Sequence, residues 1–329
     1  MAQEQATPHP DARPQYELLR QIRSQIGRVI VGQDALIDRL LIALLTNSHA
    51  LIEGVPGLAK TLTVSTLART LRCSFTRIQF TPDLLPADIT GTMVFDPREA
   101  DFHVRQGPIF ANIVLADEIN RAPAKVQSAL LEAMQERQVS IGGDSLALPS
   151  PFLVLATQNP IEHEGTYPLP EAQLDRFMLK VLVDYPDREE ERDILRRGLE
   201  GSEDGVESVT DPAGIAELCA ATAAVEVNDR LREYVVRLIE ATRDPARYQM
   251  ATLAPLIEFG ASPRAAVFLA RAAQAYAFIN ERDYVVPDDV KTLAPDVLRH
   301  RLVTTYEAEA QAVTVEEIVQ QLLEGVGIP

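Results

Sequence analysis

The stretch ALIEGVPGLAKTLTVSTLARTL, residues 50–71, joins an apolar run, a glycine-rich turn and a helical segment without a break. Ala50 to Glu53 has the composition of a buried strand, and Leu62 to Leu71 has that of a helix. The loop between them, residues 54–61, reads GVPGLAKT. Backbone N–H groups at the start of a helix attract anions, so a strand, a glycine-rich loop and a helix in this order predict a phosphate-binding loop.

All eight residues of this loop belong to the predicted phosphate-binding site. Lys60 supplies a positive charge to the β- and γ-phosphates, and the Thr61 hydroxyl holds Mg²⁺. Ala59 stands where the general pattern has glycine, so the backbone there must tolerate a Cβ beside the phosphates. The loop alone also fits a kinase or a GTPase, and a chance Gly-Pro turn with a surface lysine is a simpler alternative. The residues of the predicted site are Gly54, Val55, Pro56, Gly57, Leu58, Ala59, Lys60 and Thr61.

Apolar runs alternate with helical segments over the first half of the chain. This alternation is typical of a parallel sheet flanked by helices. The runs are mostly continuous rather than alternating, as expected for strands that are covered on both faces. The sequence therefore predicts an α/β fold with five parallel core strands: Ala50–Glu53, Ser74–Phe80, Asn112–Ala116, Phe152–Ala156 and Phe177–Val183.

The strand-like runs nearly end after Tyr185-Pro186, and amphipathic helices follow. One of these helices repeats apolar residues with the spacing of a single helical face, namely Leu231, Tyr234, Val235, Leu238 and Ile239. We predict three parts: a flexible tail over residues 1–15, an α/β domain over 16–186 and a smaller all-helical domain over 187–329.

Two acidic residues, Asp117 and Glu118, directly follow the third predicted strand. Ligands of open α/β sheets bind at the carboxyl ends of the strands, so both carboxylates would lie near the phosphate loop if the two strands are neighbours. Asp117 is suited to the Mg²⁺ shell, and Glu118 is suited to polarising a water molecule that attacks the γ-phosphate. Taken alone, such a pair is more often a solvated loop start. After a phosphate loop it predicts ATP hydrolysis.

The charge and the cysteine content exclude several other classes of protein. The 329 residues carry a formal net charge of −17, which repels nucleic-acid backbones and anionic membranes. Cys73 and Cys219 are far apart and lack metal-ligand spacing, so neither a disulfide framework nor a zinc site is expected. The N-terminus lacks the features of a secretory signal, and no apolar run is long enough to span a bilayer. We therefore expect a cytoplasmic protein without membrane insertion.

The sequence resembles the MoxR family of AAA+ ATPases from about Ile22 to its end. The resemblance implies the AAA+ fold, in which a helical lid domain follows the α/β domain, and it makes an alanine at position 59 ordinary. The segments that carry the resemblance are Val31–Gln33, Gly54–Thr61, Ala116–Ala122 with its Walker B carboxylates, Ala156–Pro160, Leu169–Phe177 and Ser262–Arg264.

The resemblance also assigns roles to individual residues. Asn159 would be the sensor that orients the attacking water, although a turn asparagine before a proline is the ordinary alternative. Arg176 would be the arginine finger for the neighbouring subunit, whereas without the resemblance a salt bridge to Asp175 or Glu171 is the more ordinary explanation. A cation at a helix N-terminus needs a compensating anion. The resemblance makes a nucleotide phosphate that anion and Arg264 a second sensor in the lid, whereas a nearby carboxylate is the structural alternative. Val31 and Gly32 would line the adenine.

The partners follow from the same resemblance. It implies a ring, most often a hexamer, and a chaperone-like role in remodelling partner proteins or inserting metal cofactors, commonly with a von Willebrand factor A domain protein. Two inserted hairpins are expected, within Thr81–Gly107 and Gln138–Leu148, and in related rings such projections face the pore or the substrate. A DNA-dependent motor and a nucleotide-gated scaffold with little turnover are the alternatives. The sequence specifies neither the client, the pathway, the ring size nor the nucleotide occupancy.

Overall fold

The computed structural model describes residues 12–55, 57–160, 165–200 and 205–328. Most of the predicted tail, residues 1–15, lies outside this range, and a helix begins at Arg13. The chain divides into two compact units. One, which we call the α/β unit, comprises Gln21–Ala216; the other, the helical unit, combines the residues up to Arg20 with those from Glu217 onward.

Nine strands lie in the described residues of the α/β unit, and five of them form one parallel sheet in the order β2-β5-β8-β1-β9. This arrangement confirms the predicted five-stranded parallel sheet. The strands are β1 (Ala50–Glu53), β2 (Phe75–Gln79), β3 (Gly91–Asp96), β4 (Asp101–Gln106), β5 (Ile113–Asp117), β6 (Gln138–Ile141), β7 (Asp144–Ala147), β8 (Leu153–Gln158) and β9 (Leu179–Leu182).

The middle of the sheet is fully buried, which explains the continuous apolar runs of its strands. Each residue of β5 from Ile113 to Ala116 is 0% exposed, and those of β8 from Leu153 to Ala156 are at most 1% exposed. The register pairs Ala116 with Ala156. Strand β5 is not a direct neighbour of β1, because β8 lies between them. The carboxyl end of β8 therefore separates Asp117 from the phosphate loop.

Helices flank this sheet, and α5 supplies much of the apolar layer on one side. Its residues Val126, Leu130 and Met134 share a buried cluster with Val114 of β5 and Val154 of β8. The helices up to residue 223 are α1 (Arg13–Val29), α2 (Asp34–Leu45), α3 (Lys60–Thr70), α4 (Pro86–Thr90), α5 (Ala124–Glu136), α6 (Glu171–Leu174), α7 (Arg188–Glu200) and α8 (Pro212–Ala223).

Both predicted hairpins are present. Strands β3 and β4 pair in antiparallel fashion and follow the short helix α4, and strands β6 and β7 form the second hairpin. Gly142 (φ 63°) and Gly143 (φ 99°) make the turn of the second hairpin, where a side chain would be strained. At the tip of the first hairpin, the rings of Phe95 and Phe102 lie 5.2 Å apart and both are largely exposed.

The helical unit confirms the apolar face predicted from the sequence. All five residues of that face are buried in α9 (Asp229–Arg243). A small antiparallel pair, β10 (Ile257–Phe259) with β11 (Val303–Thr304), is an addition that the sequence did not predict. The remaining helices are α10 (Pro263–Ile279), α11 (Pro287–Leu298), α12 (Tyr306–Ala310) and α13 (Val315–Gly325). None of the helices in the described part of the chain is both apolar enough and long enough to cross a membrane.

Candidate active site

The carboxyl ends of β5, β8 and β1 bring the predicted site residues to one edge of the sheet. Gly54, directly after β1, donates its N–H to the Gln158 carbonyl at the end of β8 (3.4 Å). Asn159 follows immediately and is 8% exposed. Because β8 lies between β1 and β5, Asn159 follows the strand that separates the phosphate loop from the two carboxylates.

The phosphate loop ends in a left-handed residue. Ala59 has φ 52° and ψ 17°, so the position that usually holds glycine keeps the glycine-like conformation here. Ala59 is the N-cap of α3 and makes no side-chain cap hydrogen bond. The first N–H groups of a helix have no partner within the helix, so the start of α3 offers unsatisfied donors and a partial positive charge.

The other loop residues leave room for an anion. A Cβ placed on Gly57 (φ 89°) would meet no heavy atom within 4 Å. Leu58 is buried and anchors the loop, whereas Val55 is half-buried. Pro56 lies outside the described residues. An open, glycine-bearing turn at an uncapped helix start fits the polyphosphate of a nucleotide.

Lys60 lies among carboxylates at this edge. Its Nζ atom donates to the Gly54 carbonyl at 2.5 Å. Partial burial lowers the pKa of Lys60, and the negative charges of Asp117, Glu118 and Glu53 oppose that shift. The lysine and the carboxylates of Asp117 and Glu118 are therefore close enough to interact electrostatically. Thr61 occupies the next position of α3 and is half-buried, and its contact with Mg²⁺ remains a prediction.

Two side chains hold Asp117 at the end of β5. The Thr157 hydroxyl donates to its Oδ1 atom at 2.5 Å. Arg77 donates to its Oδ2 atom from Nε (2.9 Å) and Nη2 (2.6 Å). The Asp117 side chain is 13% exposed. A carboxylate oxygen has two lone pairs, so Oδ1, which accepts one hydrogen bond, keeps acceptor capacity for the hydration shell of a Mg²⁺ ion, whereas Oδ2 already accepts two.

Glu118 has a strained backbone and an anchored side chain. Its φ of 55° and ψ of 51° lie in the left-handed region, which costs a non-glycine residue about 1–3 kcal/mol and recurs at functional sites. Its Oε2 atom accepts from Gln79 Nε2 (2.8 Å) and Arg121 Nη1 (3.0 Å). Its N–H donates to the Thr157 hydroxyl at 2.9 Å. Both side-chain contacts use the same carboxylate oxygen.

The structure adds three residues that the sequence reasoning missed: Arg77, Gln79 and Thr157. Thr157 is 1% exposed and binds both Asp117 and the Glu118 backbone. A hydroxyl directly after the apolar run Leu153–Ala156 of a central strand was the available signal. Gln79 also accepts from Arg77 (2.7 Å), so these two residues of β2 form one network with both carboxylates. Only the strand order, with β2 beside β5, shows why they matter.

The remaining predicted residues lie elsewhere. Arg176 is half-buried in the turn after α6, and Arg264 is the second residue of α10 in the helical unit. The segment with Val31 and Gly32 leads into α2, where Gln33 Nε2 donates to the Asp184 carbonyl (3.3 Å). A Cβ on Gly32 would lie 2.5 Å from the Glu190 carboxyl carbon, so this segment packs closely against the start of α7. Its contact with adenine remains a prediction, as do the roles of both arginines.

Comparisons with known proteins agree with this geometry. Residues 49–179 match the ATPase family associated with various cellular activities (AAA), and residues 250–322 match the AAA lid domain. The chain is 51% identical to Chaperone MoxR1 of Mycobacterium tuberculosis, over 93% of this chain and 81% of that protein. It is 31% identical to Protein MoxR of Methylorubrum extorquens, over 93% of both chains.

A solved structure supports the same assignment. The crystal structure of a protein from Cytophaga hutchinsonii, assigned as an ATPase, superimposes with a TM-score of 0.90. It is 48% identical in sequence, over 95% of this chain and 96% of that chain. These matches show that the chain belongs to the MoxR family of AAA+ ATPases.

Proposed function

We propose that the chain is a Mg²⁺-dependent ATP hydrolase that works as an oligomer and remodels partner proteins. The observation that carries this proposal is the placement of Glu118. Its carboxylate is fixed through one oxygen, beside a desolvated lysine and the Asp117 carboxylate. A binding module needs the lysine and the loop, whereas a second fixed carboxylate is suited to activating water.

Each residue of the site has a defined task in this proposal. The uncapped start of α3 and Lys60 bind and orient the β- and γ-phosphates. Thr61 and Asp117 would hold Mg²⁺, which when bound supplies positive charge to the phosphate oxygens. Glu118 accepts a hydrogen bond from the attacking water and orients it. Asn159 holds that water from another side as a neutral amide that does not titrate.

The proposal requires a second copy of the chain. Arg176 would reach the γ-phosphate bound by the neighbouring subunit, which contributes a factor of about 10³ to 10⁵ to the rate in comparable sites. A hexameric ring is the assembly that we propose. Arg264 would contact the nucleotide from the lid, and Val31 and Gly32 would line the adenine.

A protein client fits better than nucleic acid. The part of the second hairpin from Ser140 to Leu148 has no basic residue and one acid, Asp144, whereas gripping a phosphate backbone requires bases. The first insertion carries Arg98 and Arg105, which is why DNA stays the alternative to test. The net charge of −17 acts in the same direction. One relative is named a chaperone. We propose a von Willebrand factor A domain protein as the partner. Cys73 and Cys219, both within the described residues, form no disulfide, which supports a cytoplasmic location.

The test is an ATPase assay with matched additions. Turnover is expected in the presence of Mg²⁺ and is expected to be lost when the ion is chelated. Adding single-stranded or double-stranded DNA is expected to leave the rate unchanged. Strong stimulation by DNA would show that the chain is a DNA-dependent motor instead. Tight ATP binding without turnover under any of these conditions would identify a nucleotide-gated scaffold.

A further inference from the structure

The buried amide of Gln127 bonds two segments that the proposed function uses at two different ATP sites. One segment is the turn that directly follows Glu118, which acts on the ATP of its own subunit. The other is the segment that leads to Arg176, which would act on the ATP of the neighbouring subunit. The importance of this contact for catalysis rests on that proposed function.

Gln127 lies in the first turn of α5 and is 0% exposed. Its Nε2 atom donates to three backbone carbonyls: Ile119 (3.2 Å), Ala122 (3.1 Å) and Tyr167 (3.0 Å). The first two carbonyls bracket the helical turn Ile119–Arg121 that starts after Glu118. The two hydrogens of one amide therefore serve carbonyls of both segments: those of the buried residues Ile119 and Ala122, and that of Tyr167, which is 44% exposed.

The same two segments are also joined directly. The Tyr167 N–H donates to the Asn120 carbonyl at 2.6 Å. The backbone of Tyr167 is therefore held at its N–H by the turn after Glu118 and at its C=O by Gln127. Two residues later, Leu169 is buried in the apolar cluster that contains Ile119 and Ala122. The Glu118 turn and the start of the second segment therefore share hydrogen bonds and a core.

The connection continues to Arg176. Leu174 packs against the same cluster, and Gln173 Nε2 contacts the Ser128 hydroxyl of α5 at 3.4 Å. The Arg176 N–H donates to the Gln173 carbonyl at 3.2 Å, so the arginine follows an anchored helical turn. Helix α5 thus contacts both the turn after Glu118 and the turn before Arg176.

We infer that Gln127 is a positioning residue that couples the nucleotide state at Glu118 to the placement of Arg176. Glu118, which caps this turn, has a left-handed backbone conformation, and such a conformation persists only where the surrounding structure holds it. A change in what Glu118 contacts shifts the carbonyls of Ile119 and Ala122. Because one amide serves these carbonyls and that of Tyr167, the shift reaches the segment that carries Arg176.

The test measures hydrogen exchange of residues 165–176 in the full-length Glu118→Gln chain, once with ATP and Mg²⁺ and once with ADP. We expect the exchange of this segment to differ between the two nucleotides. Adding Gln127→Met is expected to abolish that difference, while nucleotide binding is retained. The matched control is Gln135→Met, an identical substitution at an exposed position of the same helix, which should preserve the difference.

A residue that only stabilises the loop would behave differently. Its loss would raise exchange equally with both nucleotides and leave the difference intact, and that result would overturn the inference. Equal exchange of 165–176 with ATP and ADP in the parent chain would overturn it as well, without any substitution at Gln127. If Gln127→Met does not fold, Gln127→Asn, one methylene shorter, is expected to reduce the difference, and an unchanged difference would contradict the coupling.

The outcome is distinguishable from a failure of the proposed function. That function fails if the wild-type chain does not hydrolyse ATP or if Glu118→Gln leaves turnover intact. The coupling fails if ATP hydrolysis depends on Glu118 as proposed while hydrogen exchange of residues 165–176 is the same with ATP and with ADP.

Discussion

At the scale of single residues, Ala59 carries a backbone conformation that suits glycine better. Its φ of 52° costs an alanine roughly 1–2 kcal/mol, whereas glycine loses more chain entropy on folding. We expect Ala59→Gly to change the free energy of unfolding by between zero and about 1 kcal/mol in the stabilising direction. Denaturant unfolding of the wild-type chain and of Ala59→Gly measures this difference in the free energy of unfolding. The control, Ala220→Gly at an exposed position inside α8, should destabilise by about 1 kcal/mol. Equal destabilisation by both would contradict the assigned conformation.

His49, just before β1, predicts a pH dependence of stability. It accepts the Val154 N–H at Nδ1 (3.0 Å) and contacts the Met134 carbonyl through Nε2 (3.3 Å), which fits a neutral ring. Burial lowers its pKa from 6.5 to about 4, and the charge of Arg137 adds to the shift. The folded-state pKa lies below the unfolded one, so the contribution is complete above pH 6.5 and is lost as the pH falls through about 4.

The whole contribution of His49 is of order 3 kcal/mol. The free energy of unfolding should therefore decline between pH 7 and pH 4, and thermal unfolding should show a shallower decline in His49→Gln than in the wild-type chain. The exposed His103 provides the control, because His103→Gln should keep the wild-type slope. A wild-type slope in His49→Gln would show that the ring does not stay neutral in the folded protein.

The residues nearest the chemistry divide into those that a motif marks and those that only three dimensions reveal. Local sequence motifs predicted the chemistry of Lys60, Asp117 and Glu118, and the structure brings the charges of these three residues together. Thr157, Arg77 and Gln79 hold those carboxylates from other strands. Their role depends on the strand order, which local sequence does not encode.

At the scale of elements, the apolar runs predicted the strands to within two residues at either end. The second run, Ser74–Phe80, became β2 over Phe75–Gln79, and the fourth, Phe152–Ala156, became β8 over Leu153–Gln158. The C-terminal extension of β8 was missed because Thr157 and Gln158 are polar. These two residues continue the parallel strand pairing with Ile52 and Glu53 of β1. A search for apolar runs does not detect strand residues of this kind.

Two glycines in different elements should respond to alanine in opposite directions. Gly91 starts β3 with φ 104°, and a Cβ there would lie 2.3 Å from the Arg105 carbonyl oxygen. Gly27 lies inside α1, and a Cβ there would meet nothing within 4 Å. We expect Gly91→Ala to destabilise by about 1–3 kcal/mol and Gly27→Ala to stabilise by about 0.5–1 kcal/mol. Thermal unfolding measures both changes, and a Gly91→Ala chain as stable as the wild type would show that the first hairpin does not have the backbone described.

At the scale of the whole molecule, the proposal predicts that activity belongs to the assembly. Arg176→Ala should lower ATP turnover by roughly 10³ to 10⁵ while leaving nucleotide binding and oligomeric mass unchanged, because the arginine would serve only the neighbour's site. Turnover per wild-type chain should rise with protein concentration until assembly is complete. Arg232→Ala, at an exposed arginine of α9, is the control and should behave as wild type. Concentration-independent turnover that survives Arg176→Ala would place the active site within a single chain.

Hydrolysis at Glu118 is best examined by comparing ATP binding and ATP turnover in the wild-type chain and in Glu118→Gln. The amide keeps the shape of the side chain but removes the charge that orients water. We predict that both proteins bind ATP with similar affinity in the presence of Mg²⁺ and that the variant loses turnover by roughly 10²- to 10⁴-fold. Turnover at the wild-type rate in Glu118→Gln, or failure of the wild-type chain to bind ATP, would contradict the account.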